Sequence, residues 1–313
     1  MTTRRINGLA LATFGALVLT PDALFMRWSE MDGAQMLAWR APAMAGLFLL
    51  AWAVTSRNRR GDGAALLTGA GLTVAVAQMF NATLFPAGIA LAPVAVMLLA
   101  VATVPVCAAI LARILYGERT DRATWVTIPV VLAGIALAVT GEGEMGFDPR
   151  AALGALAGLG VALSLSTTFV TLRHNPQVPL LLAMGLGGMA AGAFGFALTG
   201  PARMTDGHVW AILVTGLLIL PVSFFSLSEA SRHAPAAGVS LIMLLETVLG
   251  PLWVWLGTGE APTPRMMAGG AIVVGALAVY ILHGRRRARK SALGADRAKG
   301  LDTRTTSRPA RRP

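Results

Sequence analysis

Strongly polar side chains are rare in the long apolar segments of this chain, and they are the candidates for chemistry. Glu246 lies about eleven residues from either end of the apolar segment 235–257. If that segment crosses a membrane, the carboxylate lies near the midplane, where an ionisable group is costly unless it is paired or wetted. Such a group suits proton coupling or pairing with a substrate amine. The alternative is a structural carboxylate that is hydrogen-bonded to helix ends across the bundle.

Asp22 and Arg40 form the second candidate site. They lie five and six residues from the ends of the apolar segments 7–27 and 34–55. At 1.5 Å per helical residue, both positions lie roughly 7–9 Å below the same membrane surface. The matching depth predicts an ion pair within the membrane. The pair either fixes the two helices and closes an outer gate, or contacts a zwitterionic substrate directly.

Amides and hydroxyls provide a third set of candidates. They are Gln78, Asn81, Ser164, Thr167, Thr168 and Ser223. At an offset of 142 residues, Asp22 corresponds to Ser164, and Asn81 corresponds to Ser223. This correspondence predicts a central cavity lined by both halves of the chain. Each hydroxyl alone more commonly bonds to its own helix backbone or to a neighbouring helix.

Aromatic residues predict one wall of the cavity. Trp39 is expected near its mouth, together with Phe80, Trp253 and Trp255. Because tryptophan is also enriched at membrane interfaces, we favour an interfacial position for Trp255.

The offset of 142 residues extends over two apolar segments and the loop that follows them. The residues that recur are Ala92-Pro93, Ala95, Leu99, Val106 and Gly117-Glu118, which return as Ala234-Pro235, Ala237, Leu241, Val248 and Gly259-Glu260. A constant offset of this length indicates the duplication of a half-protein. If each half crosses the membrane an odd number of times, the second copy is inverted relative to the first.

Composition places the chain in the membrane. Hydrophobic residues make up 55% of it and charged residues 13%, with a mean hydropathy of +0.66, so a soluble domain would lack a polar surface. The net charge of +11 does not indicate nucleic-acid binding, because the basic residues lie at segment ends and in the last 29 residues. We therefore predict that the chain is embedded in a lipid bilayer.

The apolar segments predict an all-α fold with ten membrane helices in two inverted five-helix repeats. The predicted spans are 7–27, 34–55, 64–84, 88–112, 122–140, 151–172, 178–198, 208–228, 235–257 and 265–283. The repeats cover residues 1–142 and 143–284, and residues 285–313 form a disordered basic tail that we expect near anionic headgroups.

Charge distribution predicts the orientation. With both termini inside, the inner segments hold 21 of the 26 Lys and Arg residues, whereas the outer loops hold three of them and seven acidic residues. Short cytoplasmic loops collect basic residues. We therefore expect a multi-pass protein of a bacterial-type inner membrane, with cytoplasmic N- and C-termini.

Two helix-loop-helix blocks and one dipeptide resemble the ten-helix EamA branch of the drug/metabolite transporter superfamily. The matching residues are Ala92-Pro93, Pro105, Gly117-Glu118, Val131-Leu132-Ala133-Gly134, Ala234-Pro235, Glu246, Gly259-Glu260, Val274-Gly275 and Trp39-Arg40. Where that family commonly has Glu-Pro, this chain has Glu246-Thr247, with the proline displaced to Pro251. The resemblance implies a secondary transporter that exports small metabolites by alternating access, and YddG-like exporters of aromatic or other neutral amino acids are the subgroup it suggests.

Enzyme motifs are absent from the sequence. It contains no Gly-rich phosphate loop ending in Lys-Ser/Thr and no His-Glu-x-x-His. We therefore expect no catalytic residues, no cofactor and no metal site, and transport driven by a proton or substrate gradient rather than ATP. A channel or a non-transporting membrane receptor remains the alternative, although no filter-like segment is evident.

Overall fold

The computed structural model describes residues 8–117, 122–139, 148–233, 236–276 and 278–279. Regular structure within these residues is helical, with no strand, so the predicted all-α membrane fold is confirmed. The predicted tail 285–313 lies outside the described residues, as do Glu118 and Ala234-Pro235 of the repeated motif.

Within the described residues, the first half contains eight helices. They are α1 (Gly8–Leu19), α2 (Asp22–Trp28), α3 (Gly33–Thr55), α4 (Arg59–Leu66), α5 (Gly69–Leu91), α6 (Val94–Val101), α7 (Val104–Tyr116) and α8 (Arg122–Val139). The pairs α1–α2 and α6–α7 each form one interrupted membrane segment. Pro21 lies at the first break, and Thr103 with Pro105 lies at the second.

The second half begins with two long uninterrupted helices. Its helices are α9 (Pro149–His174), α10 (Leu180–Thr199), α11 (Val209–Val214), α12 (Leu220–His233), α13 (Ala236–Thr258) and α14, over 264–276. A π-helical turn, Thr215–Ile219, joins α11 to α12. Helix α13 continues through Pro251 without a break, so displacement of the proline away from Glu246 leaves the helix intact around the carboxylate.

Among the described residues, seven helical segments are long and apolar enough to cross a membrane, by length and composition. They are Ala10–Trp28, Gly33–Thr55, Gly69–Leu91, Val94–Tyr116, Pro149–His174, Leu180–Thr199 and Val209–Ser231. Helices α8, α13 and α14 complete the ten predicted segments, and the apolar part of α8, Trp125–Ala138, is shorter than a full span.

Two predicted boundaries are displaced. The third segment was predicted over 64–84, but α5 begins after Thr68, whose hydroxyl caps it, and a separate short helix precedes it. The fourth was predicted over 88–112, but Ala92 is extended and the helix starts again after Pro93. The residue before a proline is driven out of the helical conformation, which explains the later start.

Helix pairing joins the two halves. Helix α3 packs along α10, α5 along α9, and α1 along α12. When the ten membrane segments are numbered along the chain, the pairs are 2–7, 3–6 and 1–8. If each segment is replaced by its counterpart five places away, the pair 2–7 is unchanged and the pairs 3–6 and 1–8 replace each other. The pairing is that expected of two repeats of five segments each, and their inversion stays a prediction. The residue limits of the repeats stay a prediction.

Glycine permits close approach of α10 to two other helices. A Cβ added at Gly187 of α10 would lie 2.2 Å from the carbonyl oxygen of Ala75 in α5. At Gly192, the added atom would lie 2.3 Å from the ring of Pro42 in α3. Small residues at such positions let membrane helices pack backbone to backbone, and here they pack α10 against α3 and α5.

Candidate functional site

Among the described residues, the buried charged side chains are Asp22, Arg40 and Glu246, with relative exposures of 1%, 6% and 5%. They come from α2, α3 and α13, yet all three line one central cavity. Since each isolated charge in a membrane segment is costly, their convergence marks this cavity as the candidate functional site.

The structure places Asp22 directly against Arg40. Arg40 Nη2 donates a hydrogen bond to Asp22 Oδ2 at 2.5 Å, and Nη1 contacts the sulfur of Met26 at 2.8 Å. The guanidinium carbon lies 4.9 Å from the centre of the Phe85 ring, so the cation also faces an aromatic surface. Arg40 Nε and Asp22 Oδ1 are buried and have no hydrogen-bond partner among the described residues.

Glu246 lies ten residues from the start of α13 and twelve from its end, near the middle of the bundle. It is close enough to interact electrostatically with both Arg40 and Asp22. Its carboxylate forms no hydrogen bond with any part of the chain that the structure describes. Glu246 is therefore the one cavity charge without a direct partner among the described residues.

Helix α5 contributes two amides to the cavity. Gln78 and Asn81 are buried, with relative exposures of 2% and 4%, and both line the cavity together with Phe85. These positions are three and four residues apart, so they share one helix face. Neither amide has a hydrogen-bond partner within the described ranges, so both are available to a ligand or to water.

The remaining cavity wall is apolar. It is formed mainly by Met44, Leu165, Phe169, Leu220, Phe224 and Met243. The cavity volume is about 40 Å³, room for about three water molecules. The site thus combines one charged and amide-bearing side with an apolar side, in a contracted space.

Three of the predicted site residues lie on a different surface. Phe80, Ser164 and Thr167 line a lateral groove between α5 and α9. The cavity-facing residues of α9 are Leu165 and Phe169, and one residue corresponds to a rotation of about 100° around a helix. Ser164 and Phe80 are each one position away from the cavity face.

The other three also lie away from the cavity wall. Thr168 is buried, and the Oγ of Ser223 is buried without a partner in the described residues, one position before Phe224. The indole of Trp39 donates a hydrogen bond to the carbonyl of Met204 at 2.7 Å. Trp39 therefore binds the α10–α11 loop.

The functional side chains that sequence reasoning missed are the apolar ones. Phe85, Phe169 and Phe224 face the cavity. Phe85 lies four residues after Asn81 and therefore on the same helix face. This spacing could have predicted that Phe85 faces the cavity. No such signal marks Phe169 or Phe224, which resemble ordinary core residues.

Comparison with known proteins agrees with this architecture. Residues 6–140 match the EamA-like transporter family. The predicted resemblance to that family is confirmed. A Bacillus subtilis (strain 168) protein, named as the uncharacterized transporter YdfC, is 26% identical over 183 residues, which cover 56% of this chain. The chain spans 59% of the length of that relative.

A solved crystal structure resembles the whole fold. The superposition covers 90% of this chain and 99% of the other, with a TM-score of 0.62 and 20% sequence identity. At that identity the likeness concerns the fold alone. It covers the second half as well, where the EamA-like match does not reach.

Four of the five charged or amide side chains in the cavity belong to the EamA-like region: Asp22, Arg40, Gln78 and Asn81. The fifth, Glu246, comes from the second half. The polar character of the cavity is therefore asymmetric, and Glu246 is the contribution of the second half to it.

Polar contacts join two loops at the end of the bundle that we predict to face outward. Arg203 pairs with Asp32 at 2.5 Å, and the amide of Gln35 donates to the carbonyl of Arg203. Partial burial acts to raise the pKa of Asp32, but hydrogen bonds from the backbone N–H of Gln35 and Ala34 and from Arg203 hold that pKa below its usual value. The α2–α3 and α10–α11 loops are thus joined across this end.

Proposed function

We propose that this chain is a secondary transporter that exports small metabolites, with neutral amino acids, aromatic ones included, as the first substrate class to test. The observation that carries the proposal is the convergence of the three buried charges on one cavity between the two halves. A purely structural bundle gains little from concentrating its costly groups in one place.

Alternating access is the mechanism that this arrangement supports best. The cavity is reached by helices from both halves, and inverted-repeat transporters place their sites at such a junction. In this proposal the Asp32–Arg203 ion pair holds the outer end closed in one state of a cycle in which the two halves rock around the site. The other state would break these contacts and open the cavity to the outside.

The energy source follows from the chemistry available. The sequence carries no nucleotide-binding motif, so the driving force is a gradient of ions or of substrate. Glu246 is the group that could exchange a proton against substrate. We place the protein in a bacterial-type inner membrane with both termini in the cytoplasm, surrounded by lipid.

Counterflow in proteoliposomes tests the proposal. Vesicles loaded with an unlabelled amino acid should accumulate the labelled one transiently, because a carrier exchanges substrates across the membrane. A channel would show flux without this trans-stimulation, and a receptor would show binding without flux. Either result, across a panel of neutral amino acids and small amines, would overturn the transporter proposal.

A further inference from the structure

The buried charges of the cavity do not balance. Two carboxylates, Asp22 and Glu246, face a single guanidinium, Arg40, which leaves one formal negative charge. A carboxylate removed from water without a partner is strongly unfavourable, so it either holds a proton or pairs with a cation. A cation that enters the cavity and displaces that proton would be held there electrostatically.

Arg40 is poorly placed to bind a substrate carboxylate. Its Nη2 and Nη1 atoms are engaged by Asp22 and by the sulfur of Met26, and Phe85 lies against the guanidinium. Only Nε lacks a hydrogen-bond partner among the described residues. Its positive charge is already matched by Asp22 at 2.5 Å. An incoming carboxylate would find this cation neutralised and would lie close to two like charges.

Glu246 is in the opposite situation. It lines the cavity with no hydrogen bond from the described residues, and Asn81, also near the middle of its helix, offers a second polar contact. The rest of the wall is apolar, with Phe169, Phe224 and Met243 prominent. The cavity thus presents one anionic anchor and a hydrophobic surface.

We propose that the group recognised in this cavity is a substrate ammonium held by Glu246, and that the preferred class is a small monoamine with an apolar body and no required carboxylate. This inference rests on the proposed transport function and narrows its substrate class. A zwitterionic amino acid would bind through the same ammonium but more weakly, because its carboxylate would lie close to the carboxylates of Asp22 and Glu246.

Three compounds with the same branched body separate the contributions of the two charged groups. They are 3-methylbutylamine, leucine and 4-methylpentanoate, titrated calorimetrically into the full-length protein in detergent at neutral pH. We expect the amine to bind at least about tenfold more tightly than leucine, and the acid not to bind. Tighter binding of leucine than of the amine, binding of the acid, or binding of none of the three would overturn the inference.

Variants test whether the preference for amine over leucine depends on Glu246. Glu246→Gln keeps the size of the side chain but removes its charge, and should weaken amine binding at least about tenfold at an unchanged thermal midpoint. Glu30→Gln is the matched control, because Glu30 has an exposed side chain outside the membrane segments, and it should bind like the wild type. If Glu246→Gln does not fold, Glu246→Asp retains the charge and should retain the preference for amine over leucine; loss of that preference would contradict the role of Glu246.

The two proposals fail in different ways. Amine binding without counterflow in proteoliposomes would overturn the transport function and leave the ammonium site standing. Counterflow of leucine together with no detectable amine binding would overturn the ammonium preference and leave transport standing.

Discussion

Arg27 connects α2 to two other elements at the predicted outer end of the bundle. Its Nη2 donates to the carbonyl oxygen of Ala92 at 2.8 Å, and its Nε lies 3.1 Å from Oε2 of Glu260. The Glu260 carboxylate also accepts a hydrogen bond from the backbone N–H of Val94, at the start of α6. One ion pair thus joins α2, the α5–α6 junction and the loop after α13.

Breaking this contact should favour opening of the cavity toward the outside. Exposed ion pairs typically contribute about 0.2–1 kcal/mol, so Glu260→Gln should shift the equilibrium up to about fivefold. A reporter cysteine at the cavity-lining Ala41, in a Cys107→Ala background, should then react faster with a membrane-impermeant thiol reagent added outside. An unchanged labelling rate, equal to that of the control Glu30→Gln, would show that the pair does not hold the outer end closed.

The Asp22–Arg40 pair should show strong coupling. Removing one partner leaves the other without its direct ion pair, at a cost of about 3–5 kcal/mol, whereas removing both leaves neither member of the pair unmatched. Asp22→Asn and Arg40→Gln should each lower the thermal midpoint more than the double variant does. Additive losses in the double variant would indicate that the two side chains act independently.

The buried charges were predictable from sequence because an ionisable residue in an apolar segment stands out against its neighbours. The positions of the hydroxyl groups were not predictable, because a serine or threonine in a helix can donate its hydrogen bond to a backbone carbonyl of the same helix. Ser164 donates to the carbonyl of Gly160 and Thr167 to that of Leu163. A serine or threonine in the sequence therefore does not indicate which face of its helix is directed toward the cavity.

The helical phase of the second half explains most of the remaining differences. Leu165 and Phe224 face the cavity, each one residue after the serine predicted to do so. The offset of 142 relates each segment to the one five places later, but it does not require the two halves to present the same chemistry. Side-chain packing against the other half determines the rotation of each helix, and a single sequence does not contain that information.

Asp32 has two roles that substitutions can separate. Its carboxylate accepts hydrogen bonds from the backbone N–H groups of Ala34 and Gln35 at the start of α3, and it pairs with Arg203. Asparagine is a good helix cap but carries no charge, so Asp32→Asn should have a small effect, whereas Asp32→Ala should cost about 1 kcal/mol. Thermal unfolding should give that ranking of the two variants. Equal losses of stability would show that Asp32 stabilises the protein through the ion pair with Arg203 rather than as a helix cap.

The contribution of Asp32 should also depend on pH with a defined sign. Because its pKa is lower in the folded protein than its usual value of 3.8, the unfolded chain takes up the proton first on acidification. The stability that Asp32 provides is therefore present above about pH 4 and is lost as the pH falls through the folded pKa. The difference in thermal midpoint between wild type and Asp32→Asn should shrink in acid, and a difference that grows would contradict this assignment.

Orientation in the membrane can be tested with single cysteines. The exposed residues Asp206, in the α10–α11 loop, and Arg59, at the start of α4, lie at opposite ends of the predicted topology. In whole cells an impermeant thiol reagent should label a cysteine at Asp206 and spare one at Arg59 until the membrane is permeabilised. Labelling of both from the outside would show that the predicted arrangement of the ten segments is wrong.

Phe169 should limit the size of the substrate. It stands on the apolar wall of the cavity, whose volume is about 40 Å³, so a shorter side chain there makes room for a larger apolar body. A size change of one or two methylene groups in a hydrophobic pocket alters discrimination by about 10-fold or more. Phe169→Leu should therefore raise the affinity for a bulkier amine, such as 2-phenylethylamine, relative to 3-methylbutylamine.

Phe80→Leu is the matched control, because that ring is 50% exposed and lines the separate lateral groove. If both variants shift the ratio equally, the effect does not arise in the cavity, and Phe169 does not set the size limit.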